Sequence, residues 1–98
     1  MNRWTSAGHY TENEVHALID GYLDLRHKKR KPYLHVRLMD LEVAINRLPR
    51  KLFQVVLVYG LLRFSERAAG EALAISGREI RRRYRDGVEE ILYRLNGE

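Results

Sequence analysis

Residues 64–95 read FSERAAGEALAISGREIRRRYRDGVEEILYRL, and the spacing within this stretch decides the fold. In its second half Ile80, Tyr84, Gly87, Val88, Ile91 and Leu95 recur at three- and four-residue intervals, which gathers them on one side of an α-helix. At about 100° per residue, Arg78, Glu79, Arg82, Arg85 and Asp86 fall on the opposite side, with Arg81 and Arg83 on the flanks. Ser76, just ahead, is placed to accept a hydrogen bond from a free amide of the first turn, as an N-cap does. Ser65 caps a shorter helix in the same way, one whose apolar residues are Ala68, Ala69, Ala72 and Leu73. Only Ala74 and Ile75 remain for the turn, so the two helices must cross at a large angle. Ala69 and Gly70 are small enough for close approach and Ile75 fills the corner, which is the helix-turn-helix layout.

Upstream, Pro49 suits a helix start, and residues 50–62 follow it with Leu52, Phe53, Val55, Val56, Leu57, Val58, Tyr59 and Leu61. Val55 to Tyr59 alone would pass for a buried strand, but no second strand candidate exists to pair with it. The segment is therefore expected as the central core helix, ended by Gly60. Before it, Leu34, Leu38, Leu41, Ile45 and Leu48 alternate by four and three, the spacing of a narrow apolar seam. Such a seam fits either a homodimer coiled coil or packing on neighbouring helices; at about two heptads it favours packing. Thr11-Glu12-Asn13-Glu14 is a capping box opening a further helix, with Val15, Leu18, Ile19, Tyr22 and Leu25 on its stripe. Residues 1–10 lack a period and are expected as a flexible lead-in, and Asn96-Gly97-Glu98 as a frayed tail. The expectation is an all-α fold, one small domain of about five helices: an N-terminal helical pair over 11–48 and a helix-turn-helix unit over 49–98.

Composition narrows the partner. Lys and Arg number 18 against 13 Asp and Glu, for a formal net charge of +5, which favours a polyanion, nucleic acid before an acidic membrane surface. No cysteine is present, so disulfides and cysteine zinc sites are excluded. No run approaches the roughly 20 apolar residues of a membrane span, and residues 1–14 lack signal-peptide order, so the cytoplasm is the expected location. The histidines at 9, 16, 27 and 35 have no metal-ligand spacing, and no phosphate loop, GxSxG elbow or HExxH motif occurs. Neither an enzyme, a metal site nor a cofactor is expected.

The succession Leu48-Pro49, the apolar helix ending Tyr59-Gly60, then Ser65, Ala69-Gly70, Leu73-Ala74-Ile75-Ser76, Ile80 and Arg83 resembles the fourth region of sigma-70 family sigma factors, over about half of the chain. That resemblance implies a second helix lying in the major groove at the −35 promoter element, with its surroundings on the RNA polymerase β flap. By position it places Gly77, Arg78 and Arg82 among the base-reading residues and Arg81 on the DNA backbone. The chain departs from the family at Ala74, where Gly is usual and where a left-handed backbone costs Ala roughly 1 kcal/mol. It departs again at Gly77, which has no side chain to read with.

The residues support the same chemistry directly. Arg can bond both acceptors of a guanine edge, and Arg78 and Arg82 stand one turn apart on the outward face. Glu79 between them suits either a cytosine amino group or the orientation of an arginine through a salt bridge. Arg81, Arg83 and Arg85 suit phosphates and sugars, and Ser65, Arg67 and Ser76 complete the DNA-facing set. Lys28, Lys29, Arg30 and Lys31 read equally as cations at a helix end and as a phosphate-contacting patch. The plain alternative for the arginine row is a solvated helix laced with Arg82–Asp86 and Arg85–Glu89 pairs. The expected function is a sequence-specific double-stranded DNA-binding transcription regulator of phage or bacterial type, able to recruit or block RNA polymerase. The rival readings are a polymerase-binding adaptor using the Leu34–Leu48 seam or the helix over 55–62, and a phage DNA-packaging subunit with its own helix-turn-helix.

Overall fold

Thr11 begins the first helix as its spacing requires: its hydroxyl accepts from the Glu14 N–H at 3.1 Å while its own N–H donates to the Glu14 carboxylate at 2.8 Å. The computed structural model describes residues 10–27 and 32–97 and is all-helical over them. The helices are α1 (Glu12–Asp20), α2 (Tyr22–His27), α3 (Pro32–Asn46), α4 (Arg50–Val55, continued by a π-helical turn over Val56–Leu61), α5 (Glu66–Leu73) and α6 (Gly77–Leu95).

Two expected elements are cut differently. The first helix stops at Gly21, whose N–H closes α1 on the Ala17 carbonyl at 3.0 Å, and α2 begins at once. The apolar stripe runs across the break unchanged, which is why spacing alone hides it. The helix from Arg50 does not end at Gly60. It widens into the π-helical turn and carries Gly60 inside, where a Cβ would lie 2.9 Å from both Ile19 Cγ2 and Tyr84 Cε1. Gly60 is thus a point of close approach between three helices, and the chain turns later, at Arg63, whose φ is +62°.

The interior has two parts. The larger is built from Val15, Leu18 and Ile19 of α1, Leu38, Leu41 and Ile45 of α3, Val56 and Leu61, and Val88 and Ile91 of α6. The smaller joins Val55, Ala69 and Ile80, flanked by Leu73, Ile75 and Tyr84. α6 belongs to both, so its C-terminal half is anchored in the main core while its N-terminal half is supported by α5. Leu38, Leu41, Ile45 and Leu48 are buried against other helices, so the α3 seam is spent within the chain.

Residues 1–9 of the expected lead-in lie outside the described residues, but its last residue, Tyr10, and Asn96 of the expected frayed tail are tied together. Tyr10 is buried, its N–H donates to Asn96 Oδ1 at 2.8 Å, and the Asn96 amide returns a bond to its carbonyl at 3.0 Å. Among the described residues no helix is long and apolar enough to cross a membrane.

Candidate nucleic-acid interface

The candidate interface begins with two capped helix starts and the turn between them. Ser65 Oγ accepts from the Ala68 N–H at 3.0 Å, and Ser76 Oγ accepts from the Glu79 N–H at 3.1 Å. Between them Ala74 takes the left-handed conformation, φ 60° and ψ 42°, and closes α5 with its N–H on the Gly70 carbonyl. At Gly70 a Cβ would come within 2.7 Å of the Ile75 carbonyl oxygen, so the helix can pass this tightly over the turn only without a side chain there. Ile75 packs into the smaller core, as its corner position predicts.

α6 then presents its arginines. Ile80, Gly87, Val88 and Ile91 are buried, while Arg78, Arg81, Arg82 and Arg85 are exposed; Arg83 is mostly covered, with a fifth of its side chain accessible. Four carboxylates organise the row. Arg82 grips Glu79 with both sides of its guanidinium fork, Nε to Oε1 at 3.0 Å and Nη2 to Oε2, and Arg83 Nε reaches the same Oε2 at 2.7 Å. Hydrogen bonds from Arg82 and then Arg83 pull the Glu79 carboxyl down to about 2. Arg81 Nη1 donates to both oxygens of Glu66 at 2.7 Å. Asp86 lies 3.7 Å from Arg82 and 3.9 Å from Arg85, and Glu71 lies 3.5 Å from Arg67. Among the described residues Arg78 faces solvent with no carboxylate in ion-pair reach.

The structure thus brings Ser65, Arg67, Ser76, Gly77, Arg78, Glu79, Arg81, Arg82, Arg83 and Arg85 into two adjoining helix starts. Glu79 sits among them as an arginine-orienting carboxylate. The Arg82–Asp86 pair forms, whereas Arg85 leans to Asp86 rather than Glu89. Lys28, Lys29, Arg30 and Lys31 lie outside the described residues. Glu66 is the residue that spacing missed. Its carboxylate lies where a Cβ on Gly77 would stand, so Gly77 makes room for the group that positions Arg81. The signal for it was Gly77 itself, a small residue at a capped helix start, since such a position marks something passing close by.

Compared with protein-family models, with curated proteins and with solved structures, the chain matches none of them. The site is therefore read from its own geometry. Six arginines and four carboxylates share residues 65–86, and the carboxylates lie among the arginines, so the row is held by ion pairs at the surface, with only Arg83 and Glu79 largely covered. Among the described residues no group of three or more His, Asp or Glu could hold a metal ion. The surfaces that a polymerase adaptor would use are largely turned inward, with Leu38, Leu41 and Ile45 of α3 and Val55, Val56 and Leu61 all buried.

Proposed function

We propose that the chain is a sequence-specific double-stranded DNA-binding transcription regulator, similar to the fourth region of sigma-70 family sigma factors, with α6 lying in the major groove. The observation that carries this reading is the set of exposed arginines, Arg78, Arg81, Arg82 and Arg85, on the first half of a capped helix braced by a short partner helix. Arg78 and Arg82 read base edges. Arg81, Arg83, Arg85 and Arg67 reach phosphates, and the net charge of +5 adds long-range attraction.

Magnitudes favour exchange of the internal pairs for DNA. A bidentate arginine–guanine pair contributes about 1–3 kcal/mol of discrimination, whereas an exposed ion pair such as Arg82–Glu79 is worth about 0–1 kcal/mol. Turning Arg82 from Glu79 to a base is therefore favourable on balance, and Glu79 holds the free guanidinium near its working position until then. The regulator acts by occupancy in the cytoplasm, without catalysis, and recruits or blocks RNA polymerase through the surroundings of the helix-turn-helix.

The test is fluorescence anisotropy with a duplex selected from a random pool, repeated over a range of salt. Affinity should fall steeply with salt, and Arg78→Ala and Arg82→Ala should each weaken it about tenfold or more and relax preference at one base pair. Capture of polymerase with no measurable duplex affinity would overturn this reading.

A further inference from the structure

α3 carries apolar residues on both of its faces. Its inner face is the buried seam already described, yet Val36, Met39 and Val43 on the other side are each about half exposed, at 52%, 51% and 51%. A surface helix ordinarily turns polar residues outward, and this one shows almost no apolar-to-polar asymmetry.

We propose that this outer stripe is a homodimer interface, in which α3 pairs in parallel with α3 of a second copy. Val36 and Val43 take the a positions of a heptad, and Met39 and Asn46 the d positions. That register puts His35 and Glu42 at g and Asp40 at e, with Arg47, in the turn just past the end of α3, beside the next e position. In a parallel pair each g residue faces the e residue five places further along the other helix. His35 then meets Asp40 of the second copy within the helix, and Glu42 meets Arg47 of the second copy just past its end, each pair joining a donor to a carboxylate. Val at both a positions is the choice that favours two strands.

The carboxylates are set in place beforehand. Asp40 accepts from the Tyr10 hydroxyl at 3.0 Å and Glu42 from the Tyr22 hydroxyl at 2.6 Å, and each carboxylate keeps further acceptor sites for a partner. α3 is already folded on the core, so pairing has no helix nucleation to overcome. The outer stripe, Val36 to Asn46, covers only about one and a half heptads, which makes the dimer concentration-dependent and not permanent. Parallel pairing relates the two copies by a two-fold axis, giving two α6 helices and a symmetric pair of half-sites on a duplex.

Sedimentation of the DNA-free chain up to about 1 mM tests the proposal. A monomer–dimer equilibrium is expected, and Val43→Glu should weaken it about tenfold or more while leaving the melting temperature of the dilute monomer unchanged. Because the chain has no cysteine, Asn46→Cys gives a single thiol, which in the parallel register meets its own counterpart and forms a disulfide-linked dimer under mild oxidation. A monomer at every concentration, a dimer indifferent to Val43→Glu, or a dimer whose Asn46→Cys variant does not cross-link would each overturn it. None of these measurements involves DNA, so their failure is separate from failure of the DNA-binding reading.

Discussion

Replacing Ala74 by glycine should stabilise the protein, although the same change in a neighbouring residue should do the reverse. Ala74 is exposed and left-handed, φ 60° and ψ 42°, so its methyl group is strained against the backbone and buries nothing in return. That strain is about 1–2 kcal/mol for an L-residue, and removing the Cβ relieves it. Glycine also frees the unfolded chain, which costs about 0.4–1 kcal/mol and leaves a net gain of about 0.5–1 kcal/mol. For a domain of this size the melting temperature should rise by about 2–8 °C. Ala72→Gly, at an exposed position within α5, should instead cost about 0.5–1 kcal/mol through helix propensity alone. Thermal and urea unfolding followed by circular dichroism reads both. If Ala74→Gly melts at or below the parent, or if the two variants shift together, the left-handed turn between α5 and α6 is wrong, and with it the angle at which α6 is presented.

Ile80 is fully buried between α4 and α5, so Ile80→Ala should cost about 2–5 kcal/mol in urea titration and abolish duplex binding together with the fold of the motif. The Glu79 carboxyl should titrate near 2 in a carboxyl-detected NMR experiment, and Arg82→Ala should raise it towards the ordinary carboxylate range, with Arg83 still holding it below. Because that value is depressed, its contribution to stability is present above the ordinary carboxylate value and fades as pH falls towards 2. Glu79→Gln releases Arg82 and Arg83, and it should raise affinity for unrelated duplexes while narrowing the preference for the selected one. Tyr10 and Tyr84 are both pushed up to about 12 by burial, with Asp40 adding to the shift at Tyr10. Raised values mean stability held below pH 10 and lost as pH climbs towards 12, a loss that Tyr10→Phe should reduce in alkaline unfolding followed by phenolate absorbance.

What could be read from the chain depended on how local the cause was. The caps at Thr11, Ser65 and Ser76, the stripe of Ile80, Val88 and Ile91, and the outward arginines all follow from neighbours within one or two turns, and each is where its spacing put it. Gly21 and Gly60 were harder, because an apolar stripe continues across a helix break and an all-apolar segment conceals a widened turn. Tyr10 could not be placed at all from its surroundings, since its partner Asn96 lies 86 residues away. In the candidate site the arginines were legible, while the hold of Glu66 on Arg81 was not, because it depends on how α5 and α6 meet.

Backbone NMR of the labelled protein, titrated with a duplex selected from a random pool, tests the groove-reading role of α6 most directly. Amide signals of residues 65–67 and 76–85 should move and broaden, with α1 and the C-terminal half of α6 unchanged. A titration in which those signals stay still while others move, or in which nothing moves at low salt, would contradict it.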